Sequence, residues 1–185
     1  MIGVIGVDPS IAATGIAWPD GRLYTSRGPT KDGDRRLVKL RDDLEDGIVL
    51  ARLLVPGGRL LAVIEDLPAR AMAAGLTGRA QGVVREILHR LEVPYVTVVP
   101  STVKKQATGS GVAKKPQMRE AWLNAEGIDD PGPEVDDNQV DDNQVDAYWL
   151  RQIGLRYLQL LEGVPLETAP DLSMIDWKAW DNALA

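Results

Sequence analysis

The chain has 185 residues, of which 44% are hydrophobic and 26% charged, so we expect one globular domain with a full core. It contains no cysteine, which excludes disulfides and thiolate metal sites. No apolar run approaches the roughly 18 residues that a membrane span needs, and no signal-peptide pattern opens the sequence, so we expect a cytoplasmic location. The net charge of −6 argues by itself against nucleic acid as a partner.

The charges are nevertheless segregated along the chain. Segment 126–146 carries nine acidic residues and no basic one, whereas segment 101–119 carries basic residues and no acidic one. This segregation predicts a cationic lobe beside an anionic pocket, although either segment alone could be an ordinary solvated surface. The basic residues of the lobe are Lys104, Lys105, Lys114, Lys115 and Arg119.

The first third of the chain predicts strands that open a sheet. Ile2–Val7 is a continuous run of β-branched and glycine residues, typical of a strand buried on both faces, and it ends at Asp8. After a turn, Thr14–Trp18 returns as a second apolar strand, which gives a hairpin. Arg22–Arg27 is predicted as a third strand. Apolar residues at helical spacing then predict a helix over Arg35–Leu54.

The middle of the chain alternates strand and helix. Leu60–Ile64 is another wholly apolar strand, and it too runs into an acid, Glu65. A helix is predicted over Leu76–Glu92, followed by a buried strand over Tyr95–Val99. The alternation predicts an α/β fold whose mixed sheet begins with an antiparallel hairpin, continues with parallel strands and is flanked by helices.

The last third begins with Ser101–Lys115, predicted as a loop because it is rich in Lys, Gly and Thr. Pro116–Glu126 is predicted as a short helix. The pentad DDNQV then occurs twice in succession, over 136–140 and 141–145. A longer amphipathic helix is predicted over Asp146–Glu162.

A C-terminal tail follows this helix and is irregular at first. Its apolar residues come late, at Met174, Ile175, Trp177 and Trp180. We therefore expect one domain over 1–163 and a tail over 164–185 that packs on the core or on a dimer partner.

Acids from separate elements predict a metal site. Asp8 and Glu65 each follow a buried strand, and further acids precede the last long helix. Carboxylates gathered in this way repel one another, and hard cations remove that cost. Oxygen ligands without Cys or His clusters specify Mg²⁺ or Mn²⁺. Two such ions roughly 4 Å apart would hold the attacking water and the leaving oxygen of a phosphodiester, so we expect two ions per site.

The tandem pentad leaves the last acids of this site ambiguous. Asp142 and Asp146 are four residues apart and share a helix face, and Asn143 is also within reach. The first copy offers an equivalent pair, Asp137 and Asp141. We favour Asp142 with Asp146 because only the second copy leads directly into the apolar helix. The catalytic and metal-binding candidates are Asp8, Glu65, Asp142 and Asp146, with Asn143 as a further ligand candidate.

Four motifs, in order, resemble the RuvC family of Holliday-junction resolvases, which belongs to the RNase H-like nucleases. They are IGVDPSIAATGIAW, VIEDLP followed by TGRAQGVVREIL, VPYVTVVPSTVKKQATGSGVAKKPQM, and DNQVDAYWL, and together they span roughly residues 2–155. The resemblance implies an RNase H-like fold. It also implies a homodimer that binds a four-way DNA junction and nicks two opposing strands symmetrically with Mg²⁺.

Carried over by position, the resemblance makes Asp8, Glu65 and Asp146 metal ligands. It makes Lys104 and Lys115 contacts to the junction backbone. The neighbouring basic residues are further DNA-binding candidates, namely Lys105, Lys114 and Arg119.

Three positions depart from the family pattern, and the least important is Ser10, which replaces a glycine often found after the Asp-Pro. Asn143 stands where the family commonly has an acid or histidine three residues before its last aspartate, which makes Asp142 our choice for the fourth ligand. Pro68 stands near the place where an aromatic residue of the best-known members wedges into the junction centre. A broader preference for branched DNA is therefore left open.

Other functions compete with this interpretation. A sugar-kinase or actin-type ATPase has a similar first strand and turn, but 185 residues leave no room for its second domain. A non-catalytic DNA-binding protein could keep the same fold. A nuclease with the same chemistry could instead act on flap structures or RNA–DNA hybrids.

Overall fold

The computed structural model describes residues 1–28, 32–67, 74–128, 140–163 and 172–185. Within these ranges, no helix is both long enough and apolar enough to cross a membrane. The strands are β1 (Gly3–Asp8), β2 (Thr14–Ala17), β3 (Leu23–Ser26), β4 (Leu60–Glu65) and β5 (Tyr95–Val98). The helices are α1 (Gly33–Leu54), α2 (Ala74–Arg90), α3 (Pro100–Thr108), α4 (Lys115–Glu126), α5 (Asp142–Leu161) and α6 (Lys178–Leu184).

The five strands form one mixed sheet in the order β3-β2-β1-β4-β5. β2 pairs antiparallel with both β1 and β3, whereas β4 pairs parallel with both β1 and β5. The central strand β1 is buried along its whole length, as its continuous apolar sequence requires. The predicted fold class, an opening hairpin followed by parallel strands and flanked by helices, is confirmed.

Helices cover both faces of the sheet. On one face α1 and α2 pack with Ile5 of β1 and Ile64 of β4. On the other face α3, α4, α5 and α6 pack with Val4 and Val63 from the same two strands. Neighbouring residues enter opposite layers because side chains alternate along a strand. Each face of the central strands therefore has its own apolar core.

Two glycines let α5 lie directly against the backbone of the sheet. A Cβ at Gly6 would overlap the main-chain carbonyl oxygen of Ala147, and a Cβ at Gly15 would overlap that of Asn143. With no side chain between the layers, the first turns of α5 come into main-chain contact with β1 and β2. Any larger residue at either position would push the beginning of α5 away from the end of β1.

Helix α3 contradicts the prediction of a loop over Ser101–Lys115. Pro100 occupies its first turn, Val103 is buried in the core, and Gly109 ends it with a left-handed φ of 78°. The prediction was wrong because it weighed composition above the end signals. Proline at the first turn and glycine just past the last are the pattern of a short helix.

Helix α5 begins at Asp142, so the predicted start at Asp146 was four residues late. The Asp141 carboxylate accepts a hydrogen bond from the main-chain N–H of Gln144 at 2.9 Å, and the Gln144 side chain accepts from the N–H of Asp141 at 2.8 Å. This reciprocal capping box starts the helix inside the second DDNQV copy. The other predicted elements differ from the observed ones by one or two residues at an end.

The aromatic residues of the C-terminal segment lie against α5. Trp180 is fully buried, and the ring of Trp177 stacks on that of Tyr157 with centroids 3.8 Å apart. The hydroxyl of Tyr157 also donates to Asp181 of α6 at 2.5 Å. This end of the chain contributes to the core on the α5 side, while the domain boundary at 163 stays a prediction.

Candidate active site

Asp8 and Glu65 end two adjacent parallel strands. The register of β1 and β4 pairs Val7 with Ile64, and the two acids are the next residues of each strand. Strand alternation places both carboxyl groups on the α5 side of the sheet, because Gly6 contacts α5 and Val63 belongs to the core there. Asp8 is buried, with an exposed fraction of 8%. The structure thus brings these two predicted residues together.

Asp146 reaches the same place from α5. It lies one turn after Asp142, near the N-terminus of the helix that Gly6 and Gly15 allow onto the sheet. Its negative charge raises the pKa of both Asp8 and Glu65. The N-terminal end of a helix favours negative charge, which suits it to carry an acid into this position.

All three carboxyl groups have raised pKa values. Burial, reinforced by the charges of Glu65 and Asp146, raises the pKa of Asp8 well above its ordinary value. Burial and then Asp146 raise the pKa of Glu65 to about 7, and burial and then Asp142 raise that of Asp146 to about 6. The Asp8 and Glu65 carboxyl groups lie within hydrogen-bonding reach of each other, so the two titrate together.

The donor chemistry of this group fits a hard divalent cation. Among the described residues, Asp8, Glu65 and Asp146 form no ion pair with a basic side chain. Lys104 lowers the pKa of Glu65 and Asp146, but burial outweighs it. Carboxylate oxygens short of positive charge are the ligands that Mg²⁺ and Mn²⁺ prefer.

The three acids do not yet enclose one ion. Within the described ranges, no group of three acidic or histidine side chains is arranged as a ready-made metal site. Asp8 and Glu65 are in direct contact, and Asp146 acts on them through its charge.

Asp141 and Asp142, at the beginning of α5, differ from Asp8, Glu65 and Asp146 because they have basic partners. Asp141, the helix cap, accepts hydrogen bonds from Thr25 at 2.7 Å and from the guanidinium of Arg27 at 2.6 Å. Asp142 accepts from Lys115 Nζ at 2.7 Å, and this contact raises the pKa of Lys115. Asp141 therefore anchors the start of α5 to β3, and Asp142 links α5 to the start of α4.

The predicted cationic lobe borders the acids through an open cleft of about 350 Å³. Lys104 from α3 and Lys114 and Lys115 from the beginning of α4 line this cleft together with Asp142 and Asp146. The predicted segregation of charge thus becomes a basic wall facing an acidic wall. A polyanion placed in the cleft would meet basic side chains on one side. On the other side it would meet any cations that the acids bind.

The remaining predicted residues lie outside the lining of this cleft. Lys105 is exposed on α3. Arg119 donates to the main-chain carbonyl of Val140 at 2.8 Å, and its guanidinium lies over the ring of Trp122. The main-chain carbonyl of Asn143 packs over Gly15.

Some predicted positions lie outside the described residues. Pro68, near the expected wedge position, is one of them, and Asp137 of the first pentad is another. The choice between the two pentads therefore stays a prediction, and the described part shows only what the second copy does. The second copy supplies the cap, the paired Asp142 and the first turn of α5.

Sequence reasoning did not find the partners of Asp141. Arg27 and Thr25 lie 114 and 116 residues away along the chain, and neither belongs to a recognisable motif. Only the pairing of β3 with β2 brings them to the beginning of α5. Gly6 and Gly15 carried a readable signal, because a glycine inside a strand often marks close approach of another backbone.

Comparisons with known proteins agree with this architecture. No family model matches the chain. The crossover junction endodeoxyribonuclease RuvC of Synechococcus sp. (strain CC9902) is 30% identical over 157 residues, covering 80% of this chain and 99% of the relative. RuvC of Prochlorococcus marinus (strain MIT 9303) is 26% identical over 157 residues, with the same coverage of both chains.

Solved structures match over most of the chain as well. T. thermophilus RuvC in complex with Holliday junction substrate has a TM-score of 0.63 at 17% sequence identity, covering 89% of this chain and 98% of that one. Another Thermus thermophilus RuvC structure has a TM-score of 0.59 at 18% identity. These likenesses confirm the predicted RNase H-like fold. Since the sequence match extends over nearly the whole of a 30% identical relative, the chain belongs to the RuvC family of crossover junction endodeoxyribonucleases.

Proposed function

We propose that this protein resolves four-way DNA junctions by divalent-metal-dependent hydrolysis of phosphodiester bonds. The observation that carries the proposal is the set of acids Asp8, Glu65 and Asp146, which form no ion pair in the described structure. Of these, Asp146 faces Lys104, Lys114 and Lys115 across one cleft. The chain's relatives are named crossover junction endodeoxyribonucleases, and one solved relative is bound to a Holliday junction.

The metal site of the proposed enzyme consists of Asp8, Glu65 and Asp146. Bound Mg²⁺ or Mn²⁺, two ions per site, would supply an activated water and stabilise the charge that develops on the phosphate. Any of these carboxyl groups that carries a proton must release it to serve as a ligand, which the added positive charge favours. In the reaction, water oxygen bonds to phosphorus while one bridging P–O bond breaks, and the departing oxygen takes up a proton.

Asp142 is the proposed fourth carboxylate of the site. It lies on the same helix face as Asp146 and lines the same cleft. Its present partner is Lys115, and both side chains are open to solvent, with exposed fractions of 44% and 74%. An exposed pair of this kind is held weakly, so Asp142 can exchange its partner at low cost. Asn143, the other candidate, is not among the residues that line this cleft.

The basic residues are proposed to hold the DNA backbone. Lys104 and Lys115 face the acids across the cleft, and Lys114 lies beside them. Basic side chains in these positions would attract the phosphate groups of a DNA strand. They would hold that strand over the carboxylates without contacting its bases. Lys105 and Arg119 are proposed to extend the contact beyond the cleft.

A homodimer is proposed because symmetric cutting of a two-fold junction calls for two related sites. Helix α2 offers a surface for it. Gly75 and Gly82 lie on one exposed face, and a Cβ at either would meet no atom within 4 Å. A second copy could approach this face closely. The cytoplasmic location likewise stays a prediction.

The deciding experiment compares cleavage of three substrates in Mg²⁺: a four-way junction, a flap and an RNA–DNA hybrid. We expect paired nicks in opposing strands of the junction and little cleavage of the other two. Asp146→Asn, which keeps the side-chain shape, should bind the junction and not cut it. If the flap or the hybrid were cut in preference to the junction, that molecule would be the substrate instead. If the unaltered protein bound the junction without cutting it, a non-catalytic role would be favoured.

A further inference from the structure

The main chain at the end of β4 is held from the opposite side of the sheet by a buried glutamine. Gln81 of α2 is 5% exposed, and its side-chain Nε2 donates a hydrogen bond to the main-chain carbonyl of Glu65 at 3.0 Å. A carbonyl oxygen only accepts, so the NH₂ group of the amide must face it. Gln81 therefore contacts the backbone of the acid whose carboxyl group lies beside Asp8.

Asp66, the residue after Glu65, makes further contacts with β5 and α2. Asp66 donates its N–H to the carbonyl of Val98 at 2.8 Å, which extends the pairing of β4 with β5 by one residue. Its carboxylate lies near the amide of Gln81 and the guanidinium of Arg85, both at 3.4 Å. The peptide that follows Glu65 is thus fixed from β5 and from α2.

Gln81 is an unusual residue for its surroundings. Its neighbours on the buried side of α2 are apolar, among them Ala80, Val84 and Leu88. An aliphatic side chain would suit this layer, and a buried amide is tolerated only when its hydrogen bonds are made. The contact with Glu65 supplies that bond.

Glu65 needs such support because it stands at the last position of its strand among other acids. Asp146, on the α5 side, repels the Glu65 carboxylate, and Asp8 lies in direct contact with it. A fixed carbonyl opposes movement of the end of β4 and keeps the carboxyl group aimed at the site. We propose that Gln81 is a positioning residue that sets the place of Glu65 for metal binding and catalysis.

This inference rests on the proposed role of Glu65, and it makes a specific prediction for Gln81→Met. Methionine keeps the length of the side chain and removes the donor. We expect kcat for junction cleavage to fall about 10- to 100-fold, as is usual when a residue that orients a ligand is lost. The Mg²⁺ concentration that gives half of the maximal thermal stabilisation should rise by a similar factor. Junction affinity in EDTA should change less than about twofold, since Gln81 lies away from the basic wall.

Gln106→Met is the matched control. Gln106 is also 5% exposed, and its side-chain oxygen accepts from Arg156 on the α5 side of the sheet. The control removes a buried amide of the same size that does not contact Glu65. We expect it to lower the melting temperature while leaving the Mg²⁺ midpoint unchanged. If both variants gave the same Mg²⁺ midpoint and the same kcat per folded molecule, Gln81 would be a structural residue only.

Two further variants keep the test decisive. Gln81→Asn retains a buried amide but withdraws the donor by one methylene, so it should show the same raised midpoint even if the methionine variant folds poorly. Glu65→Gln serves as the reference for the proposed function. A Glu65→Gln protein that still cuts and still responds to Mg²⁺ would refute the role of Glu65 itself. An inactive Glu65→Gln beside a normal Gln81→Asn would refute only the positioning role.

Discussion

Two groups of acids lie close together but differ in their electrostatic surroundings. One group is Asp8, Glu65 and Asp146, and the other is Asp141 and Asp142 at the start of α5. Asp141 and Asp142 have Arg27 and Lys115 as partners at 2.6 and 2.7 Å. Asp8 is buried, Glu65 and Asp146 are partly buried, and each of the three has a pKa raised by burial and by neighbouring acids. Asp141 and Asp142 are thus neutralised within the protein, whereas Asp8, Glu65 and Asp146 form no ion pair among the described residues.

This difference separates structural from functional carboxylates better than residue type does. A paired, half-exposed carboxylate costs little to keep and contributes modestly to stability. A buried carboxylate without a cation is costly at neutral pH, so its presence indicates a ligand that removes the cost. On this ground Asp141 is an anchor, and Asp8, Glu65 and Asp146 form the proposed reaction site. Asp142 lies between the two groups, since it lines the cleft while paired with a lysine.

The largest expected effect concerns the acids of the proposed reaction site. Glu65→Gln should lower junction cleavage by about 10³-fold or more, because the lost carboxylate helps to place the ions that stabilise the developing charge. Junction binding measured in Ca²⁺ should persist. Asp141→Asn is the control, since asparagine caps helices as well as aspartate does, and it should retain most of the activity. Equal losses in the two variants would show that both groups act structurally.

The next effect concerns stability and pH in the absence of metal. The pKa of Glu65 is about 7 in the folded protein against an ordinary value of 4.5. A raised carboxyl pKa means that the folded state keeps a proton that the unfolded state releases, so its stabilising contribution is complete below pH 4.5 and is lost as pH rises through 7. Glu65→Gln removes this loss. In EDTA the variant should therefore melt several degrees above the unaltered protein at pH 8 and show no advantage at pH 4.5.

Added Mg²⁺ gives a second test with the same two melting temperatures. It should raise the melting temperature of the unaltered protein at pH 8 by supplying the missing positive charge, and it should do so less in Glu65→Gln. A melting difference between the two proteins that did not change with pH would mean that Glu65 is ordinarily ionised in the folded state.

Much of this arrangement could be predicted from the sequence, and the exceptions have physical causes. The acids at the ends of β1 and β4 follow from apolar runs that stop at Asp8 and Glu65, and parallel strands bring such ends to one edge of the sheet. The start of α5 was misplaced although Asp141 and Gln144 carry a capping-box pattern. The contacts of Arg27 with Asp141 and of Gln81 with Glu65 were out of reach, because they join distant segments whose meeting depends on the assembled sheet.

A smaller effect tests the structural side of the comparison. Asp141→Ala removes the helix cap and the acceptor for Thr25 and Arg27. Loss of a cap costs about 1 kcal/mol, so the melting temperature should fall by a few degrees. Cleavage per folded molecule should remain within about threefold of the unaltered protein, because the acids of the reaction site are untouched. A loss as large as that of Glu65→Gln would place Asp141 in the site itself.

The smallest expected effect concerns the pair that lies between the two groups. Lys115→Ala should change stability by less than about 1 kcal/mol, because its partner Asp142 is 44% exposed and is solvated when the lysine is gone. Junction affinity should fall a few-fold for every junction sequence, and the slope of log affinity against log salt should decrease by about one, as expected for one phosphate contact. Lys178→Ala in α6, far along the chain from the cleft, should leave that slope unchanged. If Lys115→Ala also left the salt slope unchanged, Lys115 would serve only to hold Asp142. It would then be removed from the proposed DNA contacts, and Lys104 would remain.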